Sequence, residues 1–313
     1  MDEQQKLSEH FHCGYVTIIG EPNVGKSTLM NALLNQKISI VTHKPQTTRH
    51  KIIGILSTQE YQLIFLDTPG IITPKYLLQE VMMQLASSAI EDADVIAFMI
   101  DATDPKTAAP QANEEAFKRL DGLRKPVYLV INKVDAIKKQ DLLPIIDSYA
   151  RAYSYAEIFP ISALKCEGTA GLLQALIRHV PEHPPFYPLD IVSEQSERFF
   201  VSEIIREKVF LKCQQEIPYS TTVDVVEFKE REGSSDTTDR TRKWFISADV
   251  YVERDSQKGI IIGKKGSMLK EIGRLARKDI EDFLQHPVYL ELHVKVRKDW
   301  KGDGNWLERL GYR

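Results

Sequence analysis

One stretch constrains this chain more than any other, Gly20-Glu21-Pro22-Asn23-Val24-Gly25-Lys26-Ser27. An apolar, β-branched run, Tyr15-Val16-Thr17-Ile18-Ile19, precedes it, and a helical run opening at Thr28 succeeds it. A strand that turns through a glycine-framed loop into a helix is the setting of a phosphate-binding loop. The glycines let successive N–H groups turn inward on an anion, and the helix N-terminus adds partial positive charge. In such a loop Lys26 reaches the β- and γ-phosphates of a nucleotide, and the Ser27 hydroxyl holds Mg²⁺. A chance glycine turn before a helix is the competing reading, and only further motifs at other strand ends can exclude it.

The chain has 313 residues, enough for two domains with cores of their own. Its net charge is −3, so bulk charge does not make it a polyanion binder, and any nucleic-acid site must be a local patch. Cys13, Cys166 and Cys213 have neither disulfide-framework nor metal-site spacing, which predicts a reducing compartment. His10, His12 and Cys13 cluster, but in what reads as a flexible N-terminus, residues 1–12, and the expectation there is a solvated tail. The start, Met1-Asp2-Glu3-Gln4, is polar and acidic, unlike an export signal, and the apolar run Val95 to Ile100 is too short to span a bilayer.

Past the first helix, a mostly polar loop runs from Gln36 to His50 and closes on Thr42-His43-Lys44-Pro45-Gln46-Thr47-Thr48-Arg49. Two strands, Lys51 to Ser57 and Tyr61 to Leu66, then form an antiparallel hairpin. The second delivers Asp67-Thr68-Pro69-Gly70 at its C-terminal end, where open α/β sheets place ligand groups. An Asp there holds Mg²⁺ through its water shell, and the Gly70 N–H can approach a γ-phosphate. Helices from Leu77, Gln111, Asp141 and Gly171 alternate with strands at Asp94 to Asp101, Pro126 to Ile131 and Glu157 to Ile161. The pattern predicts an α/β domain, residues 13–181, with a mainly parallel sheet covered by helices on both faces.

Asn132-Lys133-Val134-Asp135 stands after the penultimate strand, and Ser162-Ala163-Leu164-Lys165 after the last. A buried Asp135 carboxylate accepts two hydrogen bonds from guanine N1–H and the 2-amino group, donors that adenine lacks. Asn132 is expected to take the N7/O6 edge and fix the loop, the Lys133 stem to lie along the purine, and the Ala163 N–H to donate to O6. Together these motifs, in order and each at a strand end, make a chance loop untenable.

These residues resemble the five motifs of a small GTPase domain. The loop sequence together with Gln46-Thr47-Thr48-Arg49 resembles the bacterial branch that holds Era and its relatives. The resemblance implies that Thr48 completes the Mg²⁺ shell when GTP is bound, and that Lys26, Thr48 and Gly70 carry hydrolysis. Many GTPases place a water-orienting Gln directly after the third motif. Here that position is Ile71, a departure from the Ras pattern that the Era-like branch shares. Some relatives there use K⁺ near the phosphates, and by resemblance its ligands would be Asn23, Thr47 and the segment from Thr42 to Lys44. A group supplied by a partner is the alternative.

Pro181-Glu182-His183-Pro184-Pro185-Phe186-Tyr187-Pro188 cannot continue a helix and predicts an extended linker, residues 182–192. Residues 193–313 then read as a smaller α+β domain. It opens with a helix from Glu197 to Gln215 whose apolar stripe is Phe200, Ile204, Ile205, Val209 and Leu211. Strands from Thr221 to Lys229 and from Arg242 to Val252 flank a turn at Gly233 to Arg240. Then come Ser256 to Ile262, Gly263-Lys264-Lys265-Gly266, a basic helix with Lys270, Arg274, Arg277 and Lys278, and a strand from Val288 to Val296. The order αββααβ with Gly-x-x-Gly between the central helices resembles a type II KH domain. Two glycines let the backbone approach a phosphate chain, two lysines add charge, and an apolar groove from Ile260 to Ile262 would hold about four unpaired bases. From Val250 to Arg313 basic residues outnumber acidic ones by about fourteen to ten. Trp300 and Trp306 are expected to pack on the domain rather than stack on bases.

Both halves resemble the Era family. That resemblance implies binding of GTP and GDP, binding near the 3′ end of 16S ribosomal RNA, a role in assembly of the 30S subunit, a monomeric state, and a cytoplasmic location with peripheral membrane association. Two rival readings stay open: a GTPase whose second domain binds protein, and a metabolic enzyme using ATP, against which Asn132-Lys133-Val134-Asp135 argues.

Overall fold

The computed structural model describes residue 8 and residues 10–105, 108–229 and 243–312. These fall into two compact units, one ending at Glu194 and the other running from Gln195 to Tyr312. In the first, β1 (His12–Ile19), β2 (Ile52–Ser57), β3 (Tyr61–Asp67), β4 (Val95–Asp101), β5 (Val127–Asn132) and β6 (Glu157–Pro160) form one sheet in the order β2-β3-β1-β4-β5-β6. Every neighbouring pair is parallel except the hairpin β2–β3. β4 and β5 are buried along their whole length, as near-continuous apolar runs of a covered parallel sheet should be. Pro160, which has no N–H to give, sits on the edge strand β6.

The helices are α1 (Lys26–Leu34), α2 (Leu77–Asp92), α3 (Glu114–Leu120), α4 (Lys139–Ala152) and α5 (Thr169–His179). Ile96, Phe98 and Ile100 of β4 share a core with Ile90 of α2, Leu120 of α3 and Tyr149 of α4. On the other side α1 and α5 pack together, α1 on β2 and β3 and α5 on β1. The α/β expectation holds, with the C-terminal strand ends gathered where the motifs stand.

The N-terminal reading needs correction. β1 starts at His12, Phe11 is buried, and Cys13 is fully buried with its Sγ 3.6 Å from Gln62 Oε1. His12 Nδ1 lies 3.1 Å from the Val180 carbonyl. Pairing with β3 begins at His12–Tyr61, so these residues complete a parallel ladder instead of forming a tail. The linker reading changes too, because residues 182–192 lie along the first unit. The strap is held by hydrogen bonds given in both directions, with His183 N donating to Phe11 O at 2.9 Å and Ser193 Oγ to Ile53 O. Cys13 N donates to Pro181 O (3.0 Å), Gln62 Nε2 to Tyr187 O (2.9 Å), and Ile55 N to Val192 O (2.8 Å). Tyr187 N returns a bond to Gln62 Oε1 at 3.0 Å, so one fully buried side-chain amide pairs with both backbone groups of Tyr187.

The second unit contains α6 (Glu197–Lys212), β7 (Thr222–Lys229), β8 (Trp244–Val252), α7 (Asp255–Ile262), α8 (Ser267–Leu284), β9 (Val288–Val296) and α9 (Gly304–Arg309). Its sheet runs β7-β8-β9, antiparallel then parallel. The expected turn at Gly233 to Arg240 lies outside the described residues. Ile205, Val209, Ile246, Val250, Ile272 and Ile280 meet in one core. The stripe on α6 is misread at one end, for Leu211 is 50% exposed. The helix is instead enclosed on its charged side as well. Buried Glu203 and Arg206 pair, and buried Lys208 pairs with Glu207 and Asp279. Trp300 is fully buried and donates from Nε1 to Ser220 O at 2.9 Å. Trp306 is held between Arg297 and Arg309, whose guanidinium carbons stand 4.1 and 4.6 Å from its ring centre.

Candidate functional site

The loop from Gly20 to Ser27 leaves β1 and enters α1, and two of its glycines are dictated by space. A Cβ on Gly20 would stand 2.2 Å from Met99 O, and one on Gly25 would stand 2.3 Å from Asn132 Nδ2; both residues have positive φ. Lys26 is folded under the loop, donating to Gly20 O (3.1 Å) and Glu21 O (2.9 Å). Burial pulls its ammonium down to about 8, against the attraction of Asp67 and Glu21.

A hydroxyl–carboxylate cluster lies beside it. Ser27 Oγ donates to Asp67 Oδ2 at 2.7 Å and stands 2.9 Å from Thr48 Oγ1. Ser39, a residue the sequence reading did not single out, donates to the same carboxylate oxygen at 2.8 Å. Asp67 is fully buried, which raises its carboxyl against the pull of Ser27, Lys26 and Ser39. Its second oxygen, Oδ1, is buried and has no hydrogen-bond partner among the described residues. A buried unpartnered carboxylate oxygen beside two converging hydroxyls is an all-oxygen donor set of the kind Mg²⁺ takes. Thr48 reaches this place because Asn31 organises the loop ahead of it. The Asn31 side chain accepts from Ile38 N and Ser39 N (both 2.9 Å) and donates to Ser39 O (2.8 Å).

Further along the loop, oxygens gather near Asn23. Its Nδ2 donates to His43 O at 3.0 Å, Thr42 and Thr47 hydroxyls are 2.6 Å apart, and Thr47 Oγ1 donates to Lys44 O at 2.7 Å. The four residues named for K⁺ are therefore together. Gly70 is pressed against the loop, since a Cβ there would lie 2.6 Å from Pro22 N. Thr68 is turned away, its hydroxyl donating to Ile18 O at 3.1 Å, and the Ile71 side chain is buried in the core.

Asn132 clasps two loops. Its Nδ2 donates to Val24 O (2.8 Å) and its Oδ1 accepts from Ala163 N (2.9 Å). The loop-fixing half of its expected role is thus filled within the chain, and the Ala163 N–H already has an acceptor in Asn132. Lys133 adopts φ 64, donates to Asn23 O at 2.9 Å and pairs with Asp101. Asp101 in turn accepts from Thr103 N at 2.8 Å; its place at the end of β4 was the signal that could have marked it. Asp135 is not enclosed as expected, because it sits in a short turn, Val134–Ala136, after β5 has ended. Ser162 and then Lys165, at 3.2 Å, hold its carboxyl below the usual range.

One cavity of about 530 Å³ joins these parts. Pro22, Asn23, Gly25, Lys26, Ser27 and Thr28 line one side, with Thr42, Thr47, Thr48 and Gly70. Asn132, Lys133, Asp135, Ser162 and Leu164 line it too. Gly20, Glu21, Val24, Lys44, Asp67, Thr68, Pro69 and Ala163 support these residues from outside the lining.

In the second unit Gly263-Lys264-Lys265-Gly266 forms a tight turn between α7 and α8, with Gly266 N donating to Gly263 O at 3.1 Å. A Cβ on Gly263 would stand 2.7 Å from Met268 Cβ. Lys264, Lys265 and Lys270 are exposed. Arg274 is engaged by Glu271 at 2.9 Å, and that arginine and then Lys212 hold the Glu271 carboxyl at about 2. Helical period splits the expected groove residues. Ile261 is fully buried, Ile262 packs on the core, and Ile260 is 51% exposed.

Both units have counterparts among known proteins. The family described as 50S ribosome-binding GTPase matches residues 15–133, and the KH domain family matches residues 216–301. A GTPase Era of Geotalea daltonii is 46% identical over 312 residues, covering 100% of both chains. Among solved structures, a variant of Era from Aquifex aeolicus bound to GDP and tetrafluoroaluminate is 41% identical, with a TM-score of 0.89, covering 96% of this chain and 99% of that one. Another Era structure, in complex with MgGDPNP and nucleotides 1506–1542 of 16S ribosomal RNA, is 41% identical with a TM-score of 0.90, covering 97% and 99%.

Proposed function

The chain belongs to the Era family of GTPases, and from that premise we propose that it is a GTP-driven switch that binds the 3′ region of 16S ribosomal RNA during assembly of the 30S subunit. It hydrolyses GTP to GDP and phosphate. The observation that carries the RNA reading is the likeness, along nearly the whole chain, to an Era bound to MgGDPNP and that RNA segment. The exposed Lys264–Lys265 turn between two glycines supports it, with Lys270 beyond and Ile262 behind.

Each part of the cavity has a task. Lys26 and the N–H groups of the glycine-framed loop hold the β- and γ-phosphates. Ser27 and Thr48 would hold Mg²⁺, with Asp67 acting through water, and the ion supplies charge neutralisation on the phosphates. The Gly70 N–H donates to the γ-phosphate. Water attacks the γ-phosphorus, the bond to the β–γ bridging oxygen breaks, and GDP and phosphate leave. Asp135 reads the guanine N1–H and 2-amino group, Lys133 lies on the purine, and Asn132 keeps one amide proton for the base edge.

Ile71 cannot orient water, so the group that completes the hydrolysis site must come from elsewhere. K⁺ held by Asn23, Thr47, Thr42 and Lys44 oxygens is the proposed source. Faster hydrolysis in K⁺ than in Na⁺ buffer supports it, and equal rates assign the role to a partner. The location proposed is the cytoplasm, for a monomer that touches the membrane only peripherally; among the described residues no helix is long and apolar enough to cross one.

The test is the affinity for a single-stranded RNA copying the small-subunit rRNA 3′ end, at one stated salt concentration. Tighter binding with a non-hydrolysable GTP analogue than with GDP establishes the switch. Equal binding removes the coupling, and no binding in either state transfers the second unit to a protein partner.

A further inference from the structure

Two glutamine side chains meet at the edge of the nucleotide cavity. Gln46 lines the nucleotide cavity beside Thr47 and Thr48. Its φ is 58, a left-handed conformation uncommon for a residue with a side chain. Opposite it, Gln79 on α2 is 5% exposed. Its amide has one possible orientation. Lys75 N–H can only donate, and it donates to Gln79 Oε1 at 2.8 Å, so Gln79 Nε2 faces Gln46 and donates to its Oε1 at 3.2 Å. The Tyr76 hydroxyl reaches the same Gln46 oxygen at 3.5 Å.

The consequence is mechanical. Thr48, which would hold Mg²⁺, and Gly70, whose N–H serves the γ-phosphate, must be in place together, yet they arrive on different segments, loop 36–50 and the arm from Gly70 to α2. Two segments moving independently spend little time in register, and one bond between them removes that freedom. We propose that the Gln79–Gln46 contact is a latch fixing these two segments together over GTP, which makes both glutamines positioning residues for hydrolysis. The proposal rests on the GTPase reading above.

Gln46→Gly separates the latch from the backbone, because glycine suits the left-handed conformation while losing the amide. The expected result is a kcat about tenfold lower, with KM and GDP affinity within about twofold of the parent protein. Gln79→Met should give the same loss from the other side, and the double variant should be no slower than the slower single one. A Gln46→Gly protein as fast as the parent overturns the latch. So do losses that multiply in the double variant, or GDP affinity that falls together with kcat. A parent protein without GTPase activity would instead overturn the GTPase reading itself.

Discussion

Lys26 and Asp67 are a cation and a carboxylate that burial pushes towards neutrality from opposite sides. A phosphate stabilises the ammonium form of Lys26. Below about 8 the lysine of the free protein already carries its proton, so binding needs none. Above that value the proton must be taken up, and nucleotide affinity should fall as pH rises, by at most about tenfold per unit. Calorimetry at pH 9 in two buffers of different ionisation enthalpy should register proton uptake that is absent at pH 7. Asp135 gives a second residue-scale prediction. Replacing it with Asn turns one acceptor into a donor facing guanine N1–H, and GTP binding should weaken while xanthosine triphosphate binding improves. Competition binding with both nucleotides reads the direction of each change, and unchanged GTP affinity would remove Asp135 from base recognition.

At the scale of elements, the strand-end motifs were legible because each needs a particular residue type where a strand stops. The register of Asp67, Asp101 and Asn132 at the ends of β3, β4 and β5 comes from the alternation of strands and helices. What the sequence hid were contacts formed across it. Asn31 folding the loop from Ile38, Ser39 on Asp67, and Asp101 on Lys133 are ordinary polar residues until the chain brings them together. The charged face of α6 was hidden for a related reason, since periodicity counts apolar residues and does not show that Glu203–Arg206 and Glu207–Lys208 are enclosed in pairs. The turn between α7 and α8 yields a prediction. Gly263 has φ 71 and no room for a Cβ, so Gly263→Ala must shift Met268 and distort the turn. RNA affinity should drop about tenfold, with GTPase kcat unchanged. An RNA titration by fluorescence anisotropy beside a phosphate-release assay checks both halves of that statement.

For the whole molecule, the Pro-rich segment was legible as the place where one unit gives way to the next, but not as part of the first. Prolines announce an extended chain and say nothing about what it lies against. A protein ending at Pro181 would take Tyr187 from the amide of buried Gln62, leaving it Ser57 and Cys13, and would uncover the apolar contacts of Leu189 and Ile191. One ending at Glu194 keeps both. The shorter form should melt several degrees lower, and two melting curves decide it. The same strap settles where tension travels. Load arriving along the chain at Gln195 meets Ser193 and Val192, and both are bonded to β2. β2 and β3 are the hairpin whose two outer ends run into the loop of Thr48 and the arm of Gly70. The first unit therefore takes up such a load at β2, through Val192 and Ser193, on the hairpin that leads to both phosphate-side segments.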